Sequence, residues 1–302
     1  MDRREFLKTA FWLTLGTQLP ISAQALAGKR VGIALGSGGA NGLAHIVMLE
    51  VLDDMGIRPS RISGASIGAL VGALYASGRT GREIRDLVNR LVASGNGEPD
   101  AGLISESLFL WLDLIDPDIG HGGLIDGERI LSYLYREIET DTFEDLEIPL
   151  EVVAADFWEQ EPVVFQSGPL LPALKASMAL PGVFTPVVHE GLTLVDGGTV
   201  NPLPYDLLME ECDIVIAVNV LGLRPSGGAA IPGYFETIFN SVKILQQSIV
   251  REKMRRQPPD IYIEPSVCDV RALEFYRADE IFEQAAPAAK ILRHRLLRLL
   301  SR

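Results

Sequence analysis

One serine of the sequence stands in a pattern that can make it a nucleophile. Residues 64–68 have the sequence GASIG and fit G-x-S-x-G, in which a serine lies on a sharp turn between a strand and a helix. Glycines permit the strained backbone, and the hydroxyl is exposed at the helix N-terminus. The pentapeptide also occurs in ordinary helix starts, so its context gives it weight. With a strand before it and a helix after it, Ser66 is predicted to be a nucleophile.

A serine hydroxyl requires a base that accepts its proton, and histidine is the usual one. The sequence has four histidines, of which His189 and His294 follow Ser66 far enough to suit the order serine, acid, histidine. Neither lies in a motif. We therefore interpret both as surface or turn residues rather than as the base.

A carboxylate is the better candidate for the base. Asp196 ends the apolar run 192–195 and precedes two glycines. Ligands of parallel sheets bind at the carboxyl ends of strands, and glycines let another backbone approach closely. A plain Asp-Gly-Gly turn explains the same spacing equally well.

A glycine-rich loop, GSGGANG at 36–42, also lies between a predicted strand and a helix. The N–H groups of such a loop can bind a phosphate or the oxyanion of a tetrahedral intermediate. The dinucleotide pattern G-x-G-x-x-G fails because Asn41 stands at its last position, and no Gly-Lys-Ser/Thr of a Walker loop follows. An oxyanion hole fits better, because the candidate nucleophile lies in the next strand–helix unit.

The elements around these residues alternate between strand and helix. Buried strands are predicted at 29–35, 61–63, 149–155, 162–165, 192–195, 213–220 and 261–263. Helices are predicted at 43–55, 67–76, 83–92, 128–138, 170–179, 238–256 and 287–302. This order predicts an α/β sheet that is mostly parallel, and the absence of a linker or repeat predicts one domain, 28–302.

Composition excludes several classes of protein. The chain has 302 residues, 47% of them hydrophobic, so it can bury a core without disulfides or metal. Its two cysteines, Cys212 and Cys268, form no C-x-x-C pair, which argues against a disulfide scaffold or structural zinc. A net charge of -13 argues against a nucleic-acid partner.

The first 27 residues have the order of a signal peptide: a basic start, a modest apolar stretch and a small-x-small end, ALA. The start, RREFLK at 3–8, resembles the twin-arginine export signal. We expect cleavage after Ala27 and a periplasmic mature chain; a retained amphipathic anchor is the alternative. No cysteine lies near the cut, so a lipid anchor of the bacterial kind is not expected.

Taken together, these blocks resemble the bacterial branch of the patatin-like phospholipase family. The resemblance extends over nearly all of the chain after residue 27, with the blocks in the family's order. They are GSGGANG and LAHI at 36–46, GASIG at 64–68, GLIDG at 123–127, FEDLEIPL at 143–150, ASMALPGVF at 176–184, VDGG at 195–198 and NPLP at 201–204.

The resemblance implies a three-layer α/β/α fold with a mostly parallel central sheet. It implies a serine acyl hydrolase that cleaves lipid esters as a phospholipase A or lysophospholipase does, through a Ser66–Asp196 dyad and an acyl-enzyme, without metal or other cofactor. The N–H groups of Gly38, Gly39 and Ile67 are expected to form the oxyanion hole. The glycines expected to support these motifs are Gly36, Gly42, Gly64, Gly68, Gly197 and Gly198.

One residue departs from the family pattern. The family usually carries a basic residue where this chain has Asn41, and asparagine brings no charge to an oxyanion or a lipid phosphate. A catalytically weak acyl-lipid-binding protein is therefore one alternative. An acyltransferase on the same dyad is another, and a protease ranks below both.

Two segments are candidates for contact with lipid. Residues 287–302 hold five basic and no acidic side chains beside leucines at helical spacing, which is typical of a helix lying on anionic membrane. A terminal helix that buries its leucines explains the pattern slightly better. The segment 94–122 is either a substrate cap or a core helix between loops.

Overall fold

The computed structural model describes residues 28–94, 133–222 and 234–300. The predicted leader 1–27, the candidate cap 94–122 beyond its first residue, the GLIDG block and His121 lie outside these residues. Among the described helices, none is both long and apolar enough to cross a lipid bilayer.

The strands of the described ranges form one eight-stranded sheet. Its strands are β1 (Val31–Leu35), β2 (Arg61–Ala65), β3 (Leu150–Asp156), β4 (Pro162–Phe165), β5 (Val187–His189), β6 (Leu192–Asp196), β7 (Ile214–Val218) and β8 (Ile261–Ile263). Five of them run parallel in the order β3-β2-β1-β7-β8. The other three pair antiparallel: β4 and β6 each pair with β3, and β5 pairs with β6. The prediction of a mostly parallel sheet is confirmed.

Helices cover both faces of the sheet. They are α1 (Ala44–Asp54), α2 (Ile67–Ala76), α3 (Gly81–Ser94), α4 (Leu170–Met178), α5 (Tyr234–Arg256) and α6 (Ala278–Leu300). Ile33 and Leu35 of β1 face the main core, where α1, α2, α3 and α6 pack. Ala34, between them, faces the other side of the sheet. There it packs in a second cluster with Leu208, which precedes β7, and with Val250 of α5. Alternation along the strands thus produces three layers, α/β/α.

The terminal helix differs from its predicted bounds. The sequence pattern predicts a terminal helix over 287–302. Proline is common in the first turn of a helix and rare inside one. In the structure α6 begins at Ala278, and Pro287 lies inside it. Ile281 and Phe282, upstream of the proline, are buried in the main core with Leu292 and Leu296. Burial of this apolar face therefore outweighs the local preference of proline.

Candidate active site

Two strands meet end to end at the candidate site. β2 runs parallel to β3 and pairs Ala65 with Val153, whereas β6 runs antiparallel and pairs Asp196 with Ala154. β4 pairs with residues 152–155, so it occupies the opposite edge of β3. The carboxyl ends of β2 and β6 consequently abut on one edge of β3. This arrangement brings together Asp196 and the residue after β2, Ser66.

Ser66 occupies a strained turn between β2 and α2. Its φ of 56° lies in the left-handed region that non-glycine residues rarely adopt. The turn is also tight, because a Cβ on Gly68 would stand 2.1 Å from the carbonyl oxygen of Leu35 and one on Gly64 would stand 2.6 Å from Ala69. Strand, turn and helix therefore form the context that the GASIG sequence predicts.

The Ser66 side chain lies close enough to the Asp196 carboxyl group to influence its pKa. Asp196 is 2% exposed, and its Oδ1 accepts a 2.6 Å hydrogen bond from the N–H of Gly198. Burial raises the pKa of Asp196 to about 6, against the opposing effects of the nearby Ser66 side chain and the Gly198 N–H. The site thus contains a hydroxyl beside a carboxylate that is more basic than an ordinary aspartate.

The backbone after β6 fixes the position of this carboxylate. Gly197 lies so close to β3 that a Cβ there would stand 2.0 Å from the carbonyl oxygen of Val153. The Asn201 N–H donates to the Gly197 carbonyl at 2.9 Å, which closes the turn. The Asn201 Oδ1 accepts a 2.6 Å hydrogen bond from the Nζ of Lys253, which ties the loop to α5.

The glycine-rich loop after β1 is held on both sides of its two central glycines. The N–H of Gly36 donates to the Val218 carbonyl, and the N–H of Ala40 donates to Ala272. Gly38 and Gly39 are partly exposed, while their neighbours on either side are buried. Ile67 is the first residue of α2, where N–H groups lack partners within the helix. The loop also packs on α2, because a Cβ on Gly42 would stand 2.2 Å from the Ile67 side chain.

The side chain of Asn41, in the glycine-rich loop, is buried. It is 7% exposed, and its Oδ1 has no hydrogen-bond partner among the described residues. Its amide lies against Gly222, where a Cβ would stand 2.7 Å from Nδ2. An uncharged side chain thus fills the position where the family pattern has a basic one.

Two residues that the sequence analysis does not single out for a role touch the site. The Oγ of Ser177, at the end of α4, accepts a 2.8 Å hydrogen bond from the N–H of Ser66. The Nε2 of Gln246, buried on α5, donates to the Ser37 hydroxyl at 3.3 Å and lies where a Cβ on Gly198 would stand 2.4 Å away. Ser177 lies in the ASMALPGVF block, whereas no local signal indicates Gln246.

None of the three described histidines contacts Ser66. His45 is fully buried and hydrogen-bonded to the Gly36 carbonyl, and burial lowers its pKa to about 4. His189 packs its ring against Phe165. His294 is exposed on α6. Asp196 is therefore the basic side chain at Ser66 among the described residues.

A cavity of about 430 Å³ lies beside Val195, the residue before Asp196. Its walls are mostly apolar and are formed by Phe157, Val195 and residues 181–186. Within the described ranges, no cluster of three or more His, Cys, Asp or Glu side chains is arranged to hold a metal ion. The chemistry available here is therefore that of a buried Ser–Asp pair, two strand ends and an apolar cavity.

Comparison with known proteins gives a consistent result. The family model described as "Patatin-like phospholipase" matches residues 33–209, more than half of the chain. A Mycobacterium bovis protein described as an uncharacterized NTE family protein is 36% identical over 197 residues, which cover 64% of this chain and 49% of that protein. "Lysophospholipase nte1" of Aspergillus fumigatus is 26% identical over 285 residues, 86% of this chain and 18% of that protein. The chain thus spans about half or less of the length of these relatives.

Solved structures were found with weaker likeness. VipD from Legionella pneumophila matches at a TM-score of 0.47 and 14% identity, over 88% of this chain and 66% of that one. Human GIVD cytosolic phospholipase A2 matches at a TM-score of 0.47 and 11% identity, over 94% and 63% of the two chains.

Proposed function

The chain belongs to the patatin-like phospholipase family, and from this premise we propose that it is a serine acyl hydrolase that cleaves carboxylic esters of lipids. The observation that carries the proposal is the closeness of the strained Ser66 to the buried carboxyl group of Asp196. The product would be a fatty acid together with an alcohol or a lysolipid, as for a phospholipase A or lysophospholipase.

In the first step the Ser66 Oγ attacks the ester carbonyl carbon while Asp196 accepts the hydroxyl proton. An ordinary aspartate has a pKa of about 3.9 and is a weak base. The pKa of about 6 at Asp196 makes the proton transfer easier by about 3 kcal/mol. The turn holds Ser66 in place, so little reorganisation is needed.

The oxyanion of the tetrahedral intermediate would be bound by the N–H groups of Gly38, Gly39 and Ile67. Gly38 and Gly39 lie on the partly exposed section of the loop, and Ile67 opens α2 next to the nucleophile. One such donor is typically worth about 2.7–4 kcal/mol. Asn41 adds no positive charge, so these backbone groups carry the stabilisation.

The second half of the reaction uses the same two side chains. Asp196 gives its proton to the leaving alkoxide oxygen, and the acyl group stays on Ser66. A water molecule then attacks the acyl carbonyl while Asp196 takes its proton, and that proton returns to the Ser66 oxygen as the fatty acid leaves. The apolar cavity beside Val195 suits the acyl chain of the intermediate.

The test is hydrolysis by the wild-type chain and by Ser66→Ala. Both are incubated with p-nitrophenyl esters of several acyl lengths and with a phospholipid and a lysophospholipid. We expect release of acid by the wild type alone. Binding of lipid without release would favour the acyl-lipid-binding protein that Asn41 suggests. Ester formation with an added alcohol instead of free acid would favour the acyltransferase.

We further propose that residues 1–27 are a twin-arginine leader, that residues 28–302 form one periplasmic domain, and that export depends on Arg3 and Arg4. The order of basic, apolar and small residues supports this proposal. Cell fractionation of the wild type and of an Arg3→Lys, Arg4→Lys variant tests it. Equal periplasmic amounts of both proteins would contradict it.

Contact of residues 287–302 with anionic lipid also stays a proposal. Leu292 and Leu296 are buried in the core, and Arg293 pairs with Asp54 at 2.9 Å. Only the outward side chains, such as Lys290, therefore remain for a membrane. Lys290→Glu should weaken binding to phosphatidylglycerol vesicles, and unchanged binding would contradict the contact.

A further inference from the structure

Three large apolar side chains are exposed at one end of the sheet. Trp158 is 72% exposed and Val188 76% exposed, and Phe157 is exposed as well. We call these three residues the hairpin patch, because they lie at the tips of the β3–β4 and β5–β6 hairpins. Clustered apolar side chains that face water mark an interaction site.

The backbone joins the two tips into one surface. The N–H of Phe157 donates to the Thr193 carbonyl at 2.8 Å, and Val188 pairs with Thr193 on the other side. Paired residues of neighbouring strands point to the same face of a sheet, so Phe157 and Val188 share one face.

Trp158 is held through its backbone and through its ring. The Oδ1 of Asp156 accepts hydrogen bonds from the backbone N–H groups of Trp158 and Glu159, at 2.8 and 3.1 Å. The rings of Trp158 and Phe157 pack edge to face with centroids 4.9 Å apart. A fixed aromatic side chain in water is typical of a binding surface rather than of a mobile loop tip.

The charges around the patch select its partner. Glu159, Glu161 and Glu190 are exposed on the two tips, and the segments 156–161 and 187–193 contain no lysine or arginine. Carboxylates repel an anionic membrane surface. Carboxylates beside an exposed indole attract a quaternary ammonium group, which phosphatidylcholine presents at the bilayer surface.

The patch is near the proposed site. Val188 of the patch pairs with Thr193, which lies three residues before Asp196 on β6, a distance of about 10 Å along the strand. Phe157 belongs to the patch and also lines the apolar cavity beside Val195. A lipid that leaves a bilayer at the patch therefore has an apolar route to the cavity.

We infer that the hairpin patch is the surface by which this protein docks on a zwitterionic, phosphatidylcholine-rich lipid surface. The inference rests on the proposed function for its purpose, because docking there would supply lipid esters to Ser66. It does not depend on turnover for its test, because vesicle binding is measured without hydrolysis.

The experiment is co-sedimentation of the full chain with vesicles of phosphatidylcholine or of phosphatidylglycerol. We expect tighter binding to phosphatidylcholine, and a loss of about tenfold in the Trp158→Gln, Val188→Gln double variant. Both side chains are exposed, so the variant should fold. Ile244→Gln, which removes an exposed aliphatic side chain from α5, should bind like the wild type.

Hydrolysis of a water-soluble p-nitrophenyl ester separates this inference from the proposed function. The double variant should retain that activity, since neither residue lines the cavity. The inference is overturned if the double variant binds phosphatidylcholine as well as the wild type does, if phosphatidylglycerol binds more tightly, or if no vesicle binds. Absence of ester hydrolysis in the wild type would instead overturn the proposed function.

Discussion

Ser66 lies next to the carboxyl group of Asp196, which is almost completely shielded from water. The two residues meet because β2 and β6 approach each other from opposite directions along one edge of β3. A buried carboxylate with a raised pKa is disfavoured as an anion but is the better base for that reason. The predictions below follow from this pairing and from the close packing around it.

The rate should depend on the protonation of Asp196. Because its pKa lies at about 6, we expect kcat/KM for a soluble ester to fall about tenfold per pH unit below pH 6 and to level off above it. A pH–rate profile between pH 4.5 and 8.5 measures this. A plateau that extends down to pH 4.5 would mean that Asp196 does not act as the base.

The free energy of unfolding should change with pH in the opposite sense to the rate: it should rise as the pH is lowered through 6. The pKa of Asp196 is higher in the folded chain than in the unfolded chain, so its protonated form stabilises the fold below about pH 4. This contribution is lost as the pH rises through about 6. Asp196→Asn stays neutral, and we expect it to exceed the wild type by about 2–3 kcal/mol in free energy of unfolding at pH 8. Denaturant unfolding at pH 8 and pH 4 measures the difference, which should nearly vanish at pH 4.

The tight turn after β2 should not tolerate a methyl group at Gly68. Its Cβ would stand 2.1 Å from the Leu35 carbonyl oxygen, so Gly68→Ala must move the backbone of β1 or α2. We expect a loss of more than about 3 kcal/mol, measured by urea unfolding.

Gly72→Ala, in the same helix, is the matched control for this substitution. Its Cβ would meet side chains and no backbone, namely those of Ile62, Leu150 and Leu35 at 3.2, 3.3 and 3.6 Å. Alanine also favours the helix by about 1 kcal/mol over glycine. We expect little or no loss of stability. Equal effects of the two substitutions would show that the close approach at Gly68 is not a constraint.

Ser177 should act by positioning Ser66. Ser177→Ala leaves the buried Ser66 N–H without its acceptor, at a cost of about 1–3 kcal/mol of stability. Because the turn is then less well fixed, we expect kcat to fall about tenfold with KM little changed. Ser77→Ala, whose hydroxyl bonds only within its own helix end, serves as the control. A change in KM alone would contradict a positioning role.

Much of the fold was predictable because its signals are local. The buried runs of β1 and β7, the GASIG turn and the start of α2 are each contained in fewer than about ten residues. The bounds of α6 were not predictable, because burial of Ile281 and Phe282 carries the helix past Pro287. That outcome depends on which surface the helix covers, and not on local propensity.

The candidate site was predictable only in part. Ser66 and Asp196 each lie in a glycine-containing motif, but their meeting depends on the pairing of β6 with the end of β3. The contacts of Ser177 and Gln246 join residues 111 and 209 positions apart in the sequence. Such contacts leave no periodic pattern, so the sequence offers no means of finding them without a family resemblance.

The most direct test of the dyad is covalent labelling with a fluorophosphonate probe, followed by intact mass and peptide mapping. We expect one adduct on Ser66 in the wild type and none in Ser66→Ala. In Asp196→Asn the labelling rate at pH 8 should fall at least about a hundredfold. An adduct that persists in Ser66→Ala, or an Asp196→Asn protein labelled at the wild-type rate, would contradict the pairing of these residues as nucleophile and base.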